Sequence, residues 1–337
     1  MTGARGVSGA MGEEAIIQGA FAPLSAGFPG ALSLHDDAAI VAVPAGHTLV
    51  VTMDAIAEGV HFFADDAAAD IGWKALAVNV SDLVAKGAAP HAYLMSLAFP
   101  GAPDREWIAR FADGLRSAQN MYGLHLIGGD TDHRPGPLSI TITAMGLVPA
   151  GAMVKRGCAR AGDHIFVSNT LGTAALGLKL RANAPDANAW PLEDHERVAL
   201  IRRYLRPTPP LGLIPVLRAH ARAAMDISDG LMKDLGRMAQ LSGVGAEILA
   251  DRLPLSVPVA KVLAADPGVI AAIVAGGDDY EVLAAVAPDE VAAFEDAAAR
   301  ALVAVTQIGR IVERSGVLLT GADGVPVQLT QLGYDHF

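Results

Sequence analysis

The spacing of apolar residues changes period along this chain, and each change marks an element. Residues 12–25 carry a helical pattern, followed by a Gly/Ser/Pro loop up to Leu34. Two β-rich runs come next, 38–43 and 48–53, separated by Pro44-Ala45-Gly46, a turn signal. Residues 67–88 read as a helix and 91–99 as a strand that Pro100 ends. Residues 104–122 form an amphipathic helix with Trp107, Phe111, Leu115 and Ala118 near one face. A short strand at 124–127 runs into Gly-Gly-Asp, and 138–148 shows partial alternation. Strands mixed with two helices predict an α+β layer, with helices on one side of a sheet.

The Pro-, Gly- and base-containing stretch 149–163 is the expected boundary, giving domains 1–150 and 151–337. Beyond it the pattern predicts a strand at 163–168 and a helix from about Thr173. An Ala- and charge-rich stretch, 181–206, stops sharply at Arg206-Pro207-Thr208-Pro209-Pro210. Residues 224–227 read as a strand entering a helix near Asp229. Further strands are expected at 245–249, 280–286, 303–311 and 316–319, with helices near 257–264 and 288–301. There is no internal repeat.

Composition narrows the class. With 337 residues and 52 % hydrophobic residues, two cored domains are expected. Aromatics are 5 %, so Ala, Val, Leu and Ile must do most of the packing. The formal charge of 25 − 36 = −11 argues against a nucleic-acid or anionic-membrane partner. No run of 18 uncharged apolar residues is present, and no apolar h-region precedes Glu13-Glu14, so neither a membrane span nor a signal peptide is expected. The single Cys158 excludes an intrachain disulfide and suits a reducing cytoplasm, where it is expected to be inert.

The candidate chemistry lies in short acidic motifs placed where strands or helices should end. They are HDDAA (Asp36, Asp37), VTMD (Asp54), NVSD (Asp82), GGDTD (Asp130, Asp132), MDISDG (Asp226, Asp229) and GGDDY (Asp278, Asp279). Each has a plain alternative: a turn at Asp36-Asp37, a solvated strand end at Asp54, or an i,i+4 pair from Asp82 to Lys86. Ser228 or Asp229 could equally be an N-cap of the next helix. Two glycines before Asp130, and again before Asp278, let backbone approach a ligand closely. Carboxylates gathered in one cleft repel unless cations lie between them. Oxygen-only ligands suit Mg²⁺, which bridges carboxylates to substrate phosphates. The set predicts a magnesium-dependent phosphoryl-transfer enzyme.

Other phosphate cradles are missing. The nearest approach to a Walker A loop, from Gly172 to Lys179, lacks the adjacent Gly-Lys-Ser/Thr. Protein-kinase HRD and DFG sets, HExxH and GxSxG are absent as well. His61, in GVHFF, has the plain reading of a satisfied turn residue; Arg156 that of a solvated cation; Tyr334 that of a packing residue.

In order, HDDAA, VTMDAIAEGVHF, KALAVNVSDLVAKGAAP, LIGGDT, MDISDGLMKDL, GGDDYE and GYDHF resemble thiamine-monophosphate kinases. That family sits in the ATP-dependent superfamily that includes aminoimidazole ribonucleotide synthetase, and the resemblance covers about residues 12–337. It implies an N-terminal α+β domain whose sheet pairs across a homodimer, a C-terminal α/β domain, and ATP and substrate in the cleft between them. It further implies Mg²⁺ ligands at Asp37, Thr52, Asp54, Asp82, Asp130, Asp226 and Asp229. Gly129, Asp130, Arg156 and Ser228 would contact ATP; His61, Asp278 and Tyr334 would contact thiamine monophosphate. The chain departs from the family in two places: His35 stands where Gly usually precedes the Asp pair, and Asp278 where Glu is frequent.

The implied reaction moves the γ-phosphoryl group of ATP to the phosphate of thiamine monophosphate. A phosphate monoester is largely dianionic near neutrality and needs no strong base, so no catalytic acid or base is assigned and positioning plus electrostatics carry the rate. One alternative is another synthetase of the superfamily, such as a selenophosphate synthetase or a hydrogenase-maturation dehydratase. Those depend on a terminal Cys or selenocysteine, whereas Cys158 is central. The other is a non-catalytic nucleotide- or cation-binding regulator.

Overall fold

The computed structural model describes residues 12–335. The reading of the extreme N-terminus as leaderless, and the last two residues of GYDHF, lie outside the described residues. The expected helix at 12–25 is helical throughout, but not one helix. An α-helical turn, α1 (Glu13–Ile16), passes into a π-helical turn (Ile17–Phe21) and a 3₁₀ turn (Ala22–Ser25). Gly19 and Pro23 weaken the regular ladder here, while Ile16, Phe21 and Leu24 stay buried. Phe21 meets Phe111 edge-on at 6.5 Å.

The chain divides into two units: one holds residues up to Val80 and Pro90–Leu147, the other Ser81–Ala89 and the residues from Val148 on. In the first, β1 (His47–Ala57) leads to α2 (Ala68–Ala85) and β2 (Ala89–Phe99). Next come α3 (Arg105–Tyr122), β3 (Leu126–His133) and β4 (Ser139–Pro149). The last turn of α2 and the loop after it belong to the second unit. Helix α3 starts where the Asp104 carboxylate accepts the Trp107 N–H at 3.0 Å, and ends at left-handed Gly123. Its buried face is Ile108, Phe111, Leu115, Ala118 and Tyr122, the i, i+3, i+4 spacing of a one-sided helix. The sheet order is β1-β4-β2-β3, with β1 on an edge and β2 parallel to β3.

Two expectations need correction in this unit. Residues 38–43 form no strand: the Ile40 N–H goes to the Gly30 carbonyl, and Ala39 and Val41 pack on a small cluster of Ala31, Ala92 and Ile127. Burial of alternate apolar residues was satisfied without a ladder. Strand β3, by contrast, does not stop at Ile127. It continues to His133, so Gly128-Gly129-Asp130 lies inside a strand opposite Leu94-Met95-Ser96.

The second unit carries β5 (His164–Ser168), α4 (Thr173–Arg181), α5 (Pro185–Asn188), α6 (Asp194–Leu205), α7 (Leu213–His220) and β6 (Ala221–Ile227). Then follow α8 (Leu231–Ser242), β7 (Gly245–Leu249), α9 (Val257–Ala265), α10 (Ile270–Ala275) and β8 (Glu281–Val286). The fold closes with α11 (Val291–Arg300), β9 (Val305–Val312) and β10 (Gly316–Thr320). Six strands run β10-β7-β9-β5-β8-β6, parallel only between β10 and β7. Ile165, Val167, Met225, Ile227, Ile248 and Leu283 from the sheet meet Leu176, Leu235, Met238 and Ile273 from the helices in one core. The charge-rich stretch 181–206 holds α5 and α6, the latter opened by a reciprocal Glu193–Glu196 capping box. Helices α7 and α10 are only eight and six residues long, too short for the pattern to announce them.

Candidate active site

In the first unit two of the acidic motifs, HDDAA and GGDTD, line a cavity of about 490 Å³, and Asp54 is not among its lining residues. Asp36 and Asp37 enter it from the loop before β1, and Gly128, Gly129, Asp130 and Thr131 from β3; Phe21, Leu94 and Met95 supply apolar wall. Strand pairing sets this geometry. A Cβ on Gly129 would stand 1.8 Å from the Met95 carbonyl oxygen, so only glycine lets β3 run this close to β2. Thr52 is partly buried and Asp54 exposed on β1. The Asp54 N–H donates to Oδ1 of buried Asn79 at 2.9 Å, while Asn79 Nδ2 donates to the Ala75 carbonyl at 3.1 Å. Asn79 thereby fastens β1 to α2.

His61 lies in the turn after β1. The Ala57 N–H reaches its Nδ1 at 3.1 Å, so a neutral His61 carries its proton on Nε2. The ammonium of Lys74, a side chain 1 % exposed, donates to the His61 carbonyl at 2.9 Å.

In the second unit, backbone bonds hold two acidic motifs side by side. Asp278 N–H donates to Ser228 O, and Tyr280 N–H to Ile227 O, both at 2.9 Å. A Cβ on Gly277 would lie 2.5 Å from Ser228 O, so glycine again permits the approach. The Tyr280 phenol donates to Asp278 Oδ1 at 3.1 Å. Tyr334 joins the same loop through its N–H to Asp229 O at 2.9 Å, and its carbonyl accepts from Lys233 Nζ. Neither Ser228 nor Asp229 caps α8, contrary to the simple alternative. The cap position is Gly230, and buried Asp234 takes the N–H groups of Ser228 and Asp229 at 3.1 and 3.0 Å. Burial raises the Asp234 carboxyl to about 6.

Asp226 is fully enclosed at the end of β6. Burial, and next the charge of Asp82, push its pKa well above the carboxylate range, while a 2.8 Å hydrogen bond from Ser81 Oγ opposes them. Lys86 Nζ donates to Ala224 O at 2.6 Å; burial, and then the nearby charge of Arg156, bring its pKa down to about 8. Asp82, Asp226, Lys86 and Arg156 thus lie within electrostatic reach of one another. Asp229 is held by Arg237 at 2.8 Å and by Lys233 at 3.4 Å.

The structure therefore gathers the sequence-identified residues in groups: Asp37, Gly129 and Asp130 around the cavity, Asp82, Asp226 and Arg156 near Lys86, and Ser228, Asp229, Asp278 and Tyr334 along the paired loops. Among the described residues no three His, Cys, Asp or Glu side chains stand ready as a metal cage. The donor set nonetheless fits a hard divalent cation. It is made of carboxylates and hydroxyls, and the Asp82–Asp226 repulsion is what a bound cation would relieve. Lys74, Asp234 and Arg237 escaped the sequence reading, and Lys86 entered it only as an ion-pair partner of Asp82. Their partners are backbone groups or already assigned acids, a role that composition and motif do not encode. Cys158 is exposed and free.

The comparisons with known proteins agree along nearly the whole chain. Residues 35–148 match the model of the AIR synthase related protein N-terminal domain, and residues 160–321 that of the AIR synthase related protein C-terminal domain. The thiamine-monophosphate kinase of Caulobacter vibrioides is 38 % identical over 320 residues, 93 % of this chain and 88 % of that protein. A crystal structure of thiamine-monophosphate kinase from Stenotrophomonas maltophilia superposes with a TM-score of 0.77 at 42 % identity, covering 87 % of this chain and 91 % of the other. The structure of AaThiL complexed with AMPPCP and TMP superposes with a TM-score of 0.75 at 33 % identity, covering 90 % and 91 %. Matched by these two domain models and 38 % identical to a thiamine-monophosphate kinase over 93 % of its length, the chain belongs to the thiamine-monophosphate kinase family.

Proposed function

We propose that this protein is an ATP-dependent phosphotransferase that converts thiamine monophosphate to thiamine diphosphate. A phosphate oxygen of thiamine monophosphate attacks the γ-phosphorus, the bond from that phosphorus to the β,γ-bridging oxygen breaks, and ADP leaves with the electron pair. The observation that carries this reading is the cavity that unites Asp37 with Gly129-Asp130. It joins backbone free to approach a phosphate with carboxylates able to hold cations.

In this reading Asp37, Thr52, Asp54, Asp82, Asp130, Asp226 and Asp229 hold Mg²⁺. When bound, the ions neutralise the polyphosphate and align donor with acceptor. Gly129 and Asp130, with Arg156 and Ser228, bind ATP. Arg156 matches a phosphate in planar, forked geometry. His61 offers Nε2–H, and Asp278 and Tyr334 complete the thiamine monophosphate contacts. No side chain is needed as a base. Support for Mg²⁺ comes from the all-oxygen donors and from the Asp82–Asp226 pair.

The working form in this proposal is a cytoplasmic homodimer. Among the described residues no helix is long and apolar enough to cross a membrane, and the single cysteine suits a reducing compartment. Edge strand β1 exposes Val51 and Met53, 55 % and 63 % accessible, a face that a second copy would cover. Incubation with ATP, Mg²⁺ and thiamine monophosphate should yield thiamine diphosphate and ADP in equal amounts, with free thiamine inert. Absence of thiamine diphosphate from the folded protein would overturn the assignment.

A further inference from the structure

The segment 276–281 contains two non-glycine residues in the left-handed region, Asp278 at φ 70° and Tyr280 at φ 49°. Side chains rarely adopt that conformation, and it persists only where surrounding bonds over-determine it. Here the backbone bonds of Asp278 and Tyr280 to Ser228 and Ile227 are joined by a set of bonds on the residue between them. The Asp279 carboxylate accepts the N–H groups of Gly172 and Ala174, at 2.8 and 3.4 Å, at the start of α4. Its carbonyl accepts from Arg203 Nη2 at 3.2 Å.

Arg203 stands on α6, 76 residues away in sequence. The same guanidinium nitrogen pairs with Glu281 Oε1, and Nη1 donates to the Thr208 hydroxyl. The Glu281 side chain is 1 % exposed and that of Arg203 18 %. The other carboxylate oxygen of Glu281 accepts from Ser168 Oγ at 2.5 Å and Asn169 Nδ2 at 2.9 Å, while Ser168 Oγ in turn accepts the Val282 N–H at 2.8 Å. The start of β8 is therefore locked to the end of β5, and the peptide before it to α6. Burial pushes both Asp279 and Glu281 up to about 7, and the Arg203 charge pulls against that in each case.

None of these groups has a place in the reaction chemistry, yet they fix the one acidic side chain of this segment that does. We propose that Arg203 is a positioning residue: by holding the Asp279 carbonyl and Glu281 together it keeps the left-handed turn that presents Asp278 to thiamine monophosphate. This rests on the substrate role of Asp278 given above. Gly129, Asp130 and Arg156 lie on other segments, and of the ATP contacts Ser228 alone shares a backbone bond with Asp278, so loss of the clamp should be felt far more on thiamine monophosphate than on ATP.

Steady-state kinetics of the full-length protein separate this from a purely structural role. Arg203→Met should raise KM for thiamine monophosphate about tenfold while KM for ATP stays within about twofold. Arg203→Lys, able to reach one acceptor but not bridge both, should show a smaller rise. In a double-mutant cycle with Asp278→Ala, the two changes should be non-additive, the pair resembling Asp278→Ala alone. Where circular dichroism shows Arg203→Met unfolded, Ser168→Ala replaces it in the same cycle, with a rise of about threefold expected. Unchanged KM for thiamine monophosphate, parallel rises for both substrates, or additivity with Asp278→Ala overturns the inference. These outcomes are ratios to wild type. A wild type that forms no thiamine diphosphate is a separate result, which overturns the functional reading and this inference with it.

Discussion

The tripeptide Gly-Gly-Asp occurs twice among the candidate motifs, once in each unit, and the two copies are held in different ways. Gly128-Gly129-Asp130 lies within β3, opposite Leu94, Met95 and Ser96, and regular strand pairing keeps it in place. Gly276-Gly277-Asp278 lies outside any strand and takes a left-handed bend. Buried ionic side chains and backbone bonds to Ile227 and Ser228 hold it there. Equal letters in sequence thus conceal unequal mechanics. The first copy owes its shape to backbone packing, the second to polar groups that must all be satisfied together.

The largest expected effect falls on the first copy's chemistry. Asp130→Asn, and likewise Asp54→Asn, should cut turnover by about 10²-fold or more with the far-ultraviolet spectrum unchanged. Near-normal turnover in either purified variant would remove the metal role. Next in size is the backbone test. Gly129→Ala drives a Cβ against the Met95 carbonyl and should cost about 1–3 kcal/mol of stability, read as a lower urea midpoint. A midpoint equal to wild type would show that strand packing does not demand the glycine.

The second copy should betray itself by pH. Asp279 and Glu281 hold their protons in the folded protein up to about 7, well above their usual values of 3.8 and 4.5. Between about pH 4 and pH 7 the unfolded chain is ionised at these groups while the folded one is not, so it binds fewer protons and stability falls as pH rises. Wild type should lose thermal stability relative to Glu281→Gln as pH rises from about 4.5 to about 7. A pH-independent difference would contradict the buried, proton-holding carboxyl. The smallest change is Tyr280→Phe, which deletes the 3.1 Å bond to Asp278 and should raise KM for thiamine monophosphate a few-fold, about the worth of one hydrogen bond.

The fold was legible where period and punctuation agreed. Helix α3 announced itself through Asp104, its apolar stripe and Gly123, and most strands of the second sheet fell where apolar runs met turn residues. The stretch 38–43 looked like a strand because packing on Ala31 and Ile127 imposes the same alternation that a ladder would. Helices α7 and α10, at eight and six residues, were too short to stand out from the surrounding chain. At the site, acids in motifs were visible, but what holds them was not. Lys74 lies 13 residues from His61, and Arg203 78 from Glu281. Such separations leave no local spacing to read, and a lysine or arginine on a helix looks the same whether it is solvated or enclosed.

Helix α4 begins at the stretch that came nearest to a P-loop, and the N–H groups of Gly172 and Ala174 at its start are already taken by the side chain of Asp279. The chain has in effect placed its own carboxyl oxygens there. Phosphate mimics and nucleotide-competitive compounds built for Walker-type enzymes should find that helix end closed. Selective inhibitors of this family are better shaped around the open-walled acidic cavity beside β3.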